Sequence, residues 1–185
     1  MEAFLVSTGV VAIAEIGDKT QLLALLLAAR FRKPVPIILG ILLATLLNHG
    51  LAGALGVWLM AVIDPLWLQW AVGISFIAMG VWALVPDKLD LQDTNLKSSL
   101  GILGATCVLF FLAEIGDKTQ IATIALAAHY QSAIMVVVGT TLGMLIANVP
   151  AVLFGDKILS KIPMKLFRWL AAAVFFVLGM LALLG

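Results

Sequence analysis

The stretch Ala14-Glu15-Ile16-Gly17-Asp18-Lys19-Thr20-Gln21 recurs letter for letter 99 residues later, as Ala113-Glu114-Ile115-Gly116-Asp117-Lys118-Thr119-Gln120. Six of these eight letters are not hydrophobic, so an apolar composition does not explain the match. Self-similarity at a fixed offset marks a duplicated unit. We therefore predict two repeats, residues 1–86 and 100–185, joined by a polar linker at 87–99. The same ungapped offset aligns further pairs, namely Gly40 with Gly139, Gly56 with Gly155, Trp70 with Trp169, Phe76 with Phe175 and Gly80 with Gly179.

The composition is that of a membrane protein. Of the 185 residues, 63% are hydrophobic and 11% are charged, and the mean hydropathy is +1.17. Soluble domains carry about 25% charged residues, so a water-soluble enzyme and a nucleic-acid-binding chain are excluded. The formal net charge of +1 implies no bulk electrostatic partner. A single cysteine, Cys107, excludes an intrachain disulfide and a multi-thiolate metal site, and we interpret it as a small apolar residue.

Six apolar stretches are long enough to cross a bilayer as helices. The predicted fold class is therefore an all-α integral membrane protein with six transmembrane helices, three in each repeat. Because three is an odd number, the second repeat must be inverted relative to the first. Inverted repeats are characteristic of secondary transporters, whose site lies near the membrane midplane, although channels can also be duplicated. The predicted spans are 3–29, 35–61, 66–85, 99–128, 132–154 and 166–184.

Charge placement predicts the orientation. The first, third and fifth connections share one side of the membrane and hold nine basic residues, whereas the opposite side holds no Lys or Arg. The positive-inside rule then places both termini on the non-cytoplasmic side of the inner (plasma) membrane. The nine residues are Arg30, Arg32, Lys33, Lys88, Lys97, Lys157, Lys161, Lys165 and Arg168.

The repeated motif puts charges at the middle of the first and fourth spans. Each such residue costs about 2.5–3.5 kcal/mol on insertion scales, so buried charges of this kind mark an ion pathway. One alternative is a structural salt bridge between Glu15 and Lys19, repeated between Glu114 and Lys118, but it leaves the aspartates unexplained. Gly17 permits either a continuous helix with all charges on one face or an opened helix with free carbonyls.

The predicted cargo site consists of Glu15, Asp18, Glu114 and Asp117. Four acids and two lysines leave a formal charge of −2, which one divalent cation neutralises. A carboxylate-rich site suits Mg²⁺, Ca²⁺ or Mn²⁺. Zinc and copper are disfavoured because no cluster of thiolates or imidazoles accompanies the acids. The lysines could pair with the acids in the empty site or contribute to proton coupling. The expected supporting residues are Thr20, Gln21, Thr119, Gln120, Lys19 and Lys118.

Polar residues of the second and fifth spans are weaker candidates. Asn48 and His49 align with Ala147 and Asn148 at the repeat offset. We interpret Asn48, His49 and Asn148 either as groups around the site and its pathway or as helix–helix hydrogen-bonding residues. Further predictions are a close-packing glycine face at Gly50, Gly53 and Gly56 and interfacial anchors at Trp67, Trp70 and Trp169.

The twin Glu-x-Gly-Asp-Lys-Thr motifs, one on the first span of each half, resemble the cation/proton exchanger family of the Golgi manganese and calcium transporters. At this length the chain looks most like the bacterial manganese exporter branch. The resemblance implies an inverted-repeat carrier that moves Mn²⁺, or Ca²⁺ in some relatives, against protons. It also implies that the motif acids bind the ion. The matching positions are Glu15, Asp18, Lys19, Thr20, Glu114, Asp117, Lys118 and Thr119.

We therefore expect a Mn²⁺ exporter driven by protons. The alternatives are a Ca²⁺/proton exchanger of the same architecture, a divalent cation channel and an amino-acid exporter. An intramembrane enzyme is disfavoured because no nucleophile–base pair or His-rich cluster is present. The expected partners are the transported ion, protons and the lipid bilayer, with no cofactor and no nucleic acid. A homo-oligomer is compatible with the sequence.

Overall fold

The computed structural model describes residues 1–86, 100–155 and 163–184, and these residues form eight α-helices and no strand. The predicted linker at 87–99 lies outside the described residues, as do Lys157 and Lys161 of the orientation argument. The helices are α1 (Glu2–Glu15), α2 (Lys19–Phe31), α3 (Pro34–Val62), α4 (Pro65–Ala83), α5 (Gly101–Glu114), α6 (Lys118–Tyr130), α7 (Ala133–Phe154) and α8 (Met164–Leu184).

Four of these helices, α3, α4, α7 and α8, are long and apolar enough to cross a membrane. Their bounds lie within two residues of the second, third, fifth and sixth predicted spans. Prolines at the first turns of α3 and α4 are compatible with helix starts, since that position needs no amide donor. The protein is thus a multi-pass helical membrane protein.

The first and fourth predicted spans are each broken at the motif. Gly17 and Gly116 have φ angles of +84° and +73°, a left-handed conformation that glycine adopts without steric cost. Helices α2 and α6 then restart behind the N-caps Asp18 and Asp117. The resulting helices have 13 or 14 residues and are about 20 Å long. One such helix is too short to cross the hydrocarbon core of a bilayer, which is about 30 Å thick, but two in succession are long enough. Of the two conformations that the sequence allowed, the structure has the opened helix.

The two halves of the chain interleave. Helix α1 packs chiefly on α7, α5 packs on α3, and α4 packs on α8. Glycines permit the close approach, since a Cβ on Gly40 would lie 2.7 Å from Thr106 Cβ on α5. The equivalent Gly139 on α7 would place a Cβ 3.0 Å from Ser7 Cβ on α1. The halves therefore share two apolar clusters, each built from residues of both halves, and the motif glutamates of both halves are buried.

The predicted glycine face is confirmed at two of its three positions. A Cβ on Gly53 would lie 2.6 Å from Val137 of α7, and one on Gly56 would clash with the carbonyl oxygen of Ile124 on α6. The prediction was wrong for Gly50, because no described atom lies within 4 Å of its Cβ position. Trp67, Trp70 and Trp169 are exposed on the protein surface, where interfacial anchors belong, and Cys107 packs partly buried against an apolar cluster.

Candidate metal-ion site

The helix breaks bring carboxylates of both motifs together inside the protein. Glu15 and Glu114 end α1 and α5, and both are fully buried. One oxygen each from Glu15, Glu114 and Asp117 lies within 4.8 Å of the other two. An ion that binds oxygen at about 2.1–2.4 Å holds its ligands at most about 4–5 Å apart. The three oxygens are therefore spaced to share one cation.

Each lysine pairs with the aspartate of the other motif. Lys19 Nζ lies 3.0 Å from Asp117 Oδ1, and Lys118 Nζ pairs with Asp18 Oδ1. The alternative bridge between glutamate and lysine of one motif is therefore not the arrangement found. The pairs also account for the aspartates, which that alternative left unexplained, and they tie the two halves together across the site.

The aspartates are paired with lysines, so Glu15 and Glu114 are the two motif acids outside these pairs. Thr20 Oγ1 donates to Glu15 Oε2 at 2.5 Å, and Thr119 Oγ1 donates to Glu114 Oε2 at 3.1 Å. The second oxygen of each glutamate, Oε1, is buried and has no hydrogen-bond partner among the described residues. Burying a polar atom without a partner is costly. Both glutamates also lie at helix C-termini, where the helix dipole favours a cation, so the unpartnered oxygens are suited to bind an ion or a proton.

The motif glutamines form hydrogen bonds with the backbone at the helix breaks. Gln21 Oε1 accepts from the Gly17 backbone N–H at 2.9 Å, and Gln21 Nε2 donates to the Ala147 carbonyl oxygen at 2.8 Å. In the second motif Gln120 Oε1 accepts from the Gly116 N–H at 2.8 Å, and its Nε2 donates to Asn48 Oδ1 at 3.2 Å. Sequence reasoning expected supporting ligands here and missed this positioning role. A glutamine four residues after a glycine of left-handed conformation is the signal that could have indicated it.

The weaker candidates separate into different roles. Asn48 forms helix–helix hydrogen bonds, because its Nδ2 also donates to the Phe111 carbonyl oxygen of α5 at 3.0 Å. Asn148 Nδ2 instead donates within its own helix, to the Met144 carbonyl oxygen at 3.0 Å. Both nitrogens of His49 and Oδ1 of Asn148 are buried without a hydrogen-bond partner in the part of the chain that the structure describes.

The two motifs have the same sequence but different surroundings. A Cβ on Gly17 would lie 2.6 Å from Met164 Sδ at the start of α8, whereas no described atom lies within 4 Å of the corresponding position on Gly116. The lysines follow the same pattern, since the side chain of Lys19 is 25% exposed and that of Lys118 is 4% exposed. The second break is therefore exposed at Gly116, whereas Met164 covers the first break at Gly17.

Comparison with known proteins yields one family. The model of the family described as "Divalent cation/proton antiporter GDT1" matches residues 3–91 and 102–185. Over 181 residues the chain is 51% identical to a Vibrio cholerae protein named "Putative manganese exporter", covering 97% of this chain and 90% of the relative. These matches confirm the resemblance that the twin motifs indicated.

More distant relatives extend the similarity to plants and cyanobacteria. A rice protein named "GDT1-like protein 3" is 29% identical over 199 residues, covering 94% of this chain and 71% of the relative. A GDT1-like protein of Synechocystis is 27% identical over 205 residues, covering 98% of this chain and 97% of the relative. No solved structure gave a significant match.

Proposed function

The chain belongs to the GDT1 family of divalent cation/proton antiporters, and on that basis we propose that it exports Mn²⁺ from the cytoplasm in exchange for protons. The observation that carries this proposal is the cluster of Glu15, Glu114 and Asp117 oxygens within 4.8 Å of one another. The cluster combines both motifs and is buried, and two of its carboxylate oxygens have no hydrogen-bond partner in the described part of the chain.

In the proposed topology the chain crosses the inner membrane six times. The pairs α1–α2 and α5–α6 are two broken spans, and α3, α4, α7 and α8 are the other four. Residues 1–86 and 100–185 are inverted repeats, and both termini lie on the non-cytoplasmic side. Broken helices meeting near the midplane are the usual way in which secondary transporters build an ion site. The exact correspondence of helix bounds at an offset of 99 residues, between α1 and α5 and between α2 and α6, supports this topology.

Manganese is the proposed cargo because the ligands are carboxylates and because the Vibrio cholerae relative is named as a manganese exporter. Hard divalent cations take carboxylate oxygens as ligands. Ca²⁺ is the second candidate, since an oxygen-rich site also suits this ion. Asp18 contributes to the charge of the site through its pair with Lys118 rather than as a member of the three-oxygen cluster.

Proton exchange follows from charge balance in the same site. Ligand carboxylates must be deprotonated when they bind a metal ion. When the ion leaves, protons are the cations that can replace it on Glu15 and Glu114, whose Oε1 atoms have no other partner among the described residues. If only the metal-loaded and protonated forms reorient, outward movement of the metal is coupled to inward movement of protons.

The test is transport by purified protein in liposomes, with an ion-sensitive dye and a pH-sensitive dye inside. We expect Mn²⁺ flux that an imposed proton gradient drives and that moves protons in the opposite direction. Mn²⁺ flux without proton movement would instead identify a channel. Proton-coupled flux of Ca²⁺ with none of Mn²⁺ would assign the calcium exchanger, and amino-acid flux without metal flux would assign the amino-acid exporter.

A further inference from the structure

His49 is a buried imidazole that the proposed ion site does not yet use. Its side chain has no exposed surface, and neither ring nitrogen has a hydrogen-bond partner among the described residues. A neutral imidazole carries one N–H donor and one nitrogen lone pair. Leaving both unsatisfied in the protein interior is unfavourable, so a group that binds to this ring at some stage of the cycle would remove the cost.

Contacts of α3 place His49 at the level of the motif break. Asn48 contacts α6 at Gln120, and Gly56 contacts α6 at Ile124 and Ala127, so the two helices run in the same direction. His49 follows Asn48 directly. It lies seven residues, or about two helical turns, before Gly56 and therefore on nearly the same face of α3. It is therefore level with the first turn of α6, which begins at Lys118 behind the N-cap Asp117.

The equivalent position of the other repeat carries a second unpartnered atom. His49 aligns with Asn148, whose Oδ1 is also buried without a hydrogen-bond partner among the described residues. Each of the two directly follows a residue that binds the glutamine of a motif: Asn48 binds Gln120, and Ala147 binds Gln21. Each repeat thus has one buried polar side chain with an unpartnered atom, an imidazole in the first and an amide in the second, next in sequence to a residue that binds a motif glutamine.

His49 is not a member of the three-oxygen cluster. From its burial, its unpartnered nitrogens and its level in the helix bundle we infer that His49 becomes a nitrogen ligand of the transported ion at one stage of the cycle and makes the site prefer Mn²⁺ to Ca²⁺ and Mg²⁺. The inference rests on the proposed function, because it assigns the ion preference of the same site. Ca²⁺ and Mg²⁺ take oxygen ligands, whereas a transition-metal ion also accepts an imidazole nitrogen. A single imidazole among carboxylates therefore favours Mn²⁺ over these two competitors without excluding other transition metals.

Pulsed electron paramagnetic resonance of bound Mn²⁺ tests the ligand directly, because the modulation of the signal identifies coordinated nitrogen. The chain has two histidines, His49 and the exposed His129, so labelling with ¹⁵N-histidine leaves few sources of the signal. We expect histidine nitrogen modulation in the unsubstituted protein, its loss in His49→Asn and its persistence in the matched control His129→Asn. Bound Mn²⁺ that shows no histidine modulation in the unsubstituted protein would overturn the inference without requiring any variant to fold.

Transport selectivity provides the second measurement. His49→Asn introduces the residue of the equivalent position, and we expect it to lower the Mn²⁺-over-Ca²⁺ transport ratio by about tenfold or more. His49→Gln is the second variant if the first does not fold. An unchanged ratio in a folded variant would contradict the inference while leaving the transporter proposal intact. Unsubstituted protein that neither binds nor moves Mn²⁺ would overturn both.

Discussion

Lys19 Nζ lies 3.0 Å from Asp117 Oδ1, so the lysine of the first motif holds the aspartate of the second. Lys118 and Asp18 form the reciprocal pair. The two pairs cross between the halves of the chain, and neither pair includes Glu15 or Glu114. This division of roles has consequences that can be measured separately for stability and for transport.

The two lysines should differ in their contribution to stability. Lys118 is almost completely buried with Asp18, whereas the side chain of Lys19 is 25% exposed. Removing one partner of a buried pair costs about 3–5 kcal/mol, and water reduces that penalty at a partly exposed pair. We expect Lys118→Met to lower the thermal unfolding temperature in detergent more than Lys19→Met does. Equal losses would contradict the effect expected from the difference in burial, and Lys118→Met combined with Asp18→Asn should recover part of the loss.

The glutamates should be required equally for transport. Glu15→Gln and Glu114→Gln keep the side-chain shape but remove the charge and one oxygen ligand, and we expect each to lower Mn²⁺ transport in liposomes by about 100-fold or more. Asp18→Asn and Asp117→Asn should also abolish metal tolerance in cells. The matched control is Glu2→Gln, which changes an exposed carboxylate at the start of α1. Near-normal transport by either glutamate variant would indicate two independent half-sites or a purely structural motif.

Mn²⁺ affinity should fall as the pH falls. Binding needs deprotonated carboxylates and releases protons, so acid shifts the equilibrium towards the empty, protonated site. For one displaced proton the apparent dissociation constant rises about tenfold for each unit of pH below the ionisation range of the site. Titration of bound Mn²⁺ between pH 5.5 and 8 by electron paramagnetic resonance measures this, and an affinity that does not change with pH would argue against proton coupling.

Alanine should be tolerated less well at Gly17 than at Gly116. Both positions have positive φ angles, so both substitutions introduce backbone strain of about 1–2 kcal/mol. Only the Cβ at position 17 would also contact Met164 Sδ, at 2.6 Å. Unfolding temperatures of Gly17→Ala and Gly116→Ala measure the difference. In a double-mutant cycle, Met164→Ala should relieve part of the effect of Gly17→Ala; strict additivity would show that Met164 does not close this side of the site.

Both termini should lie outside the cytoplasm. All Lys and Arg residues other than Lys19 and Lys118 lie in the three connections that the proposed topology places inside, or in the helix turns next to them. We therefore expect a C-terminal alkaline phosphatase fusion to be active and a C-terminal fluorescent-protein fusion to remain dark. The reverse pattern would overturn the orientation and, with it, the direction of transport.

The sequence determined the parts of this protein that depend on local composition. Four helices that are long and apolar enough to cross a membrane were predicted within two residues of their bounds, because the length of an apolar stretch can be read directly from the sequence. The motif acids were singled out for the same kind of reason, since a charge in the middle of an apolar stretch is visible without knowledge of its neighbours. Gly17 indicated a weak point in the first span, although the sequence alone could not decide between a continuous and an opened helix.

Only the tertiary structure decided what each copy of the motif contacts. In the folded chain Lys19 pairs with Asp117 rather than with Glu15. Gln21 and Gln120 accept hydrogen bonds from the glycines at the helix breaks, and Gly50 is not part of the packing face. Met164 lies against Gly17, whereas Gly116 is exposed. Two identical octapeptides carry identical local information, so nothing within them can distinguish these environments. The difference arises from residues far away in the chain, which reach the motifs only when the two halves pack together.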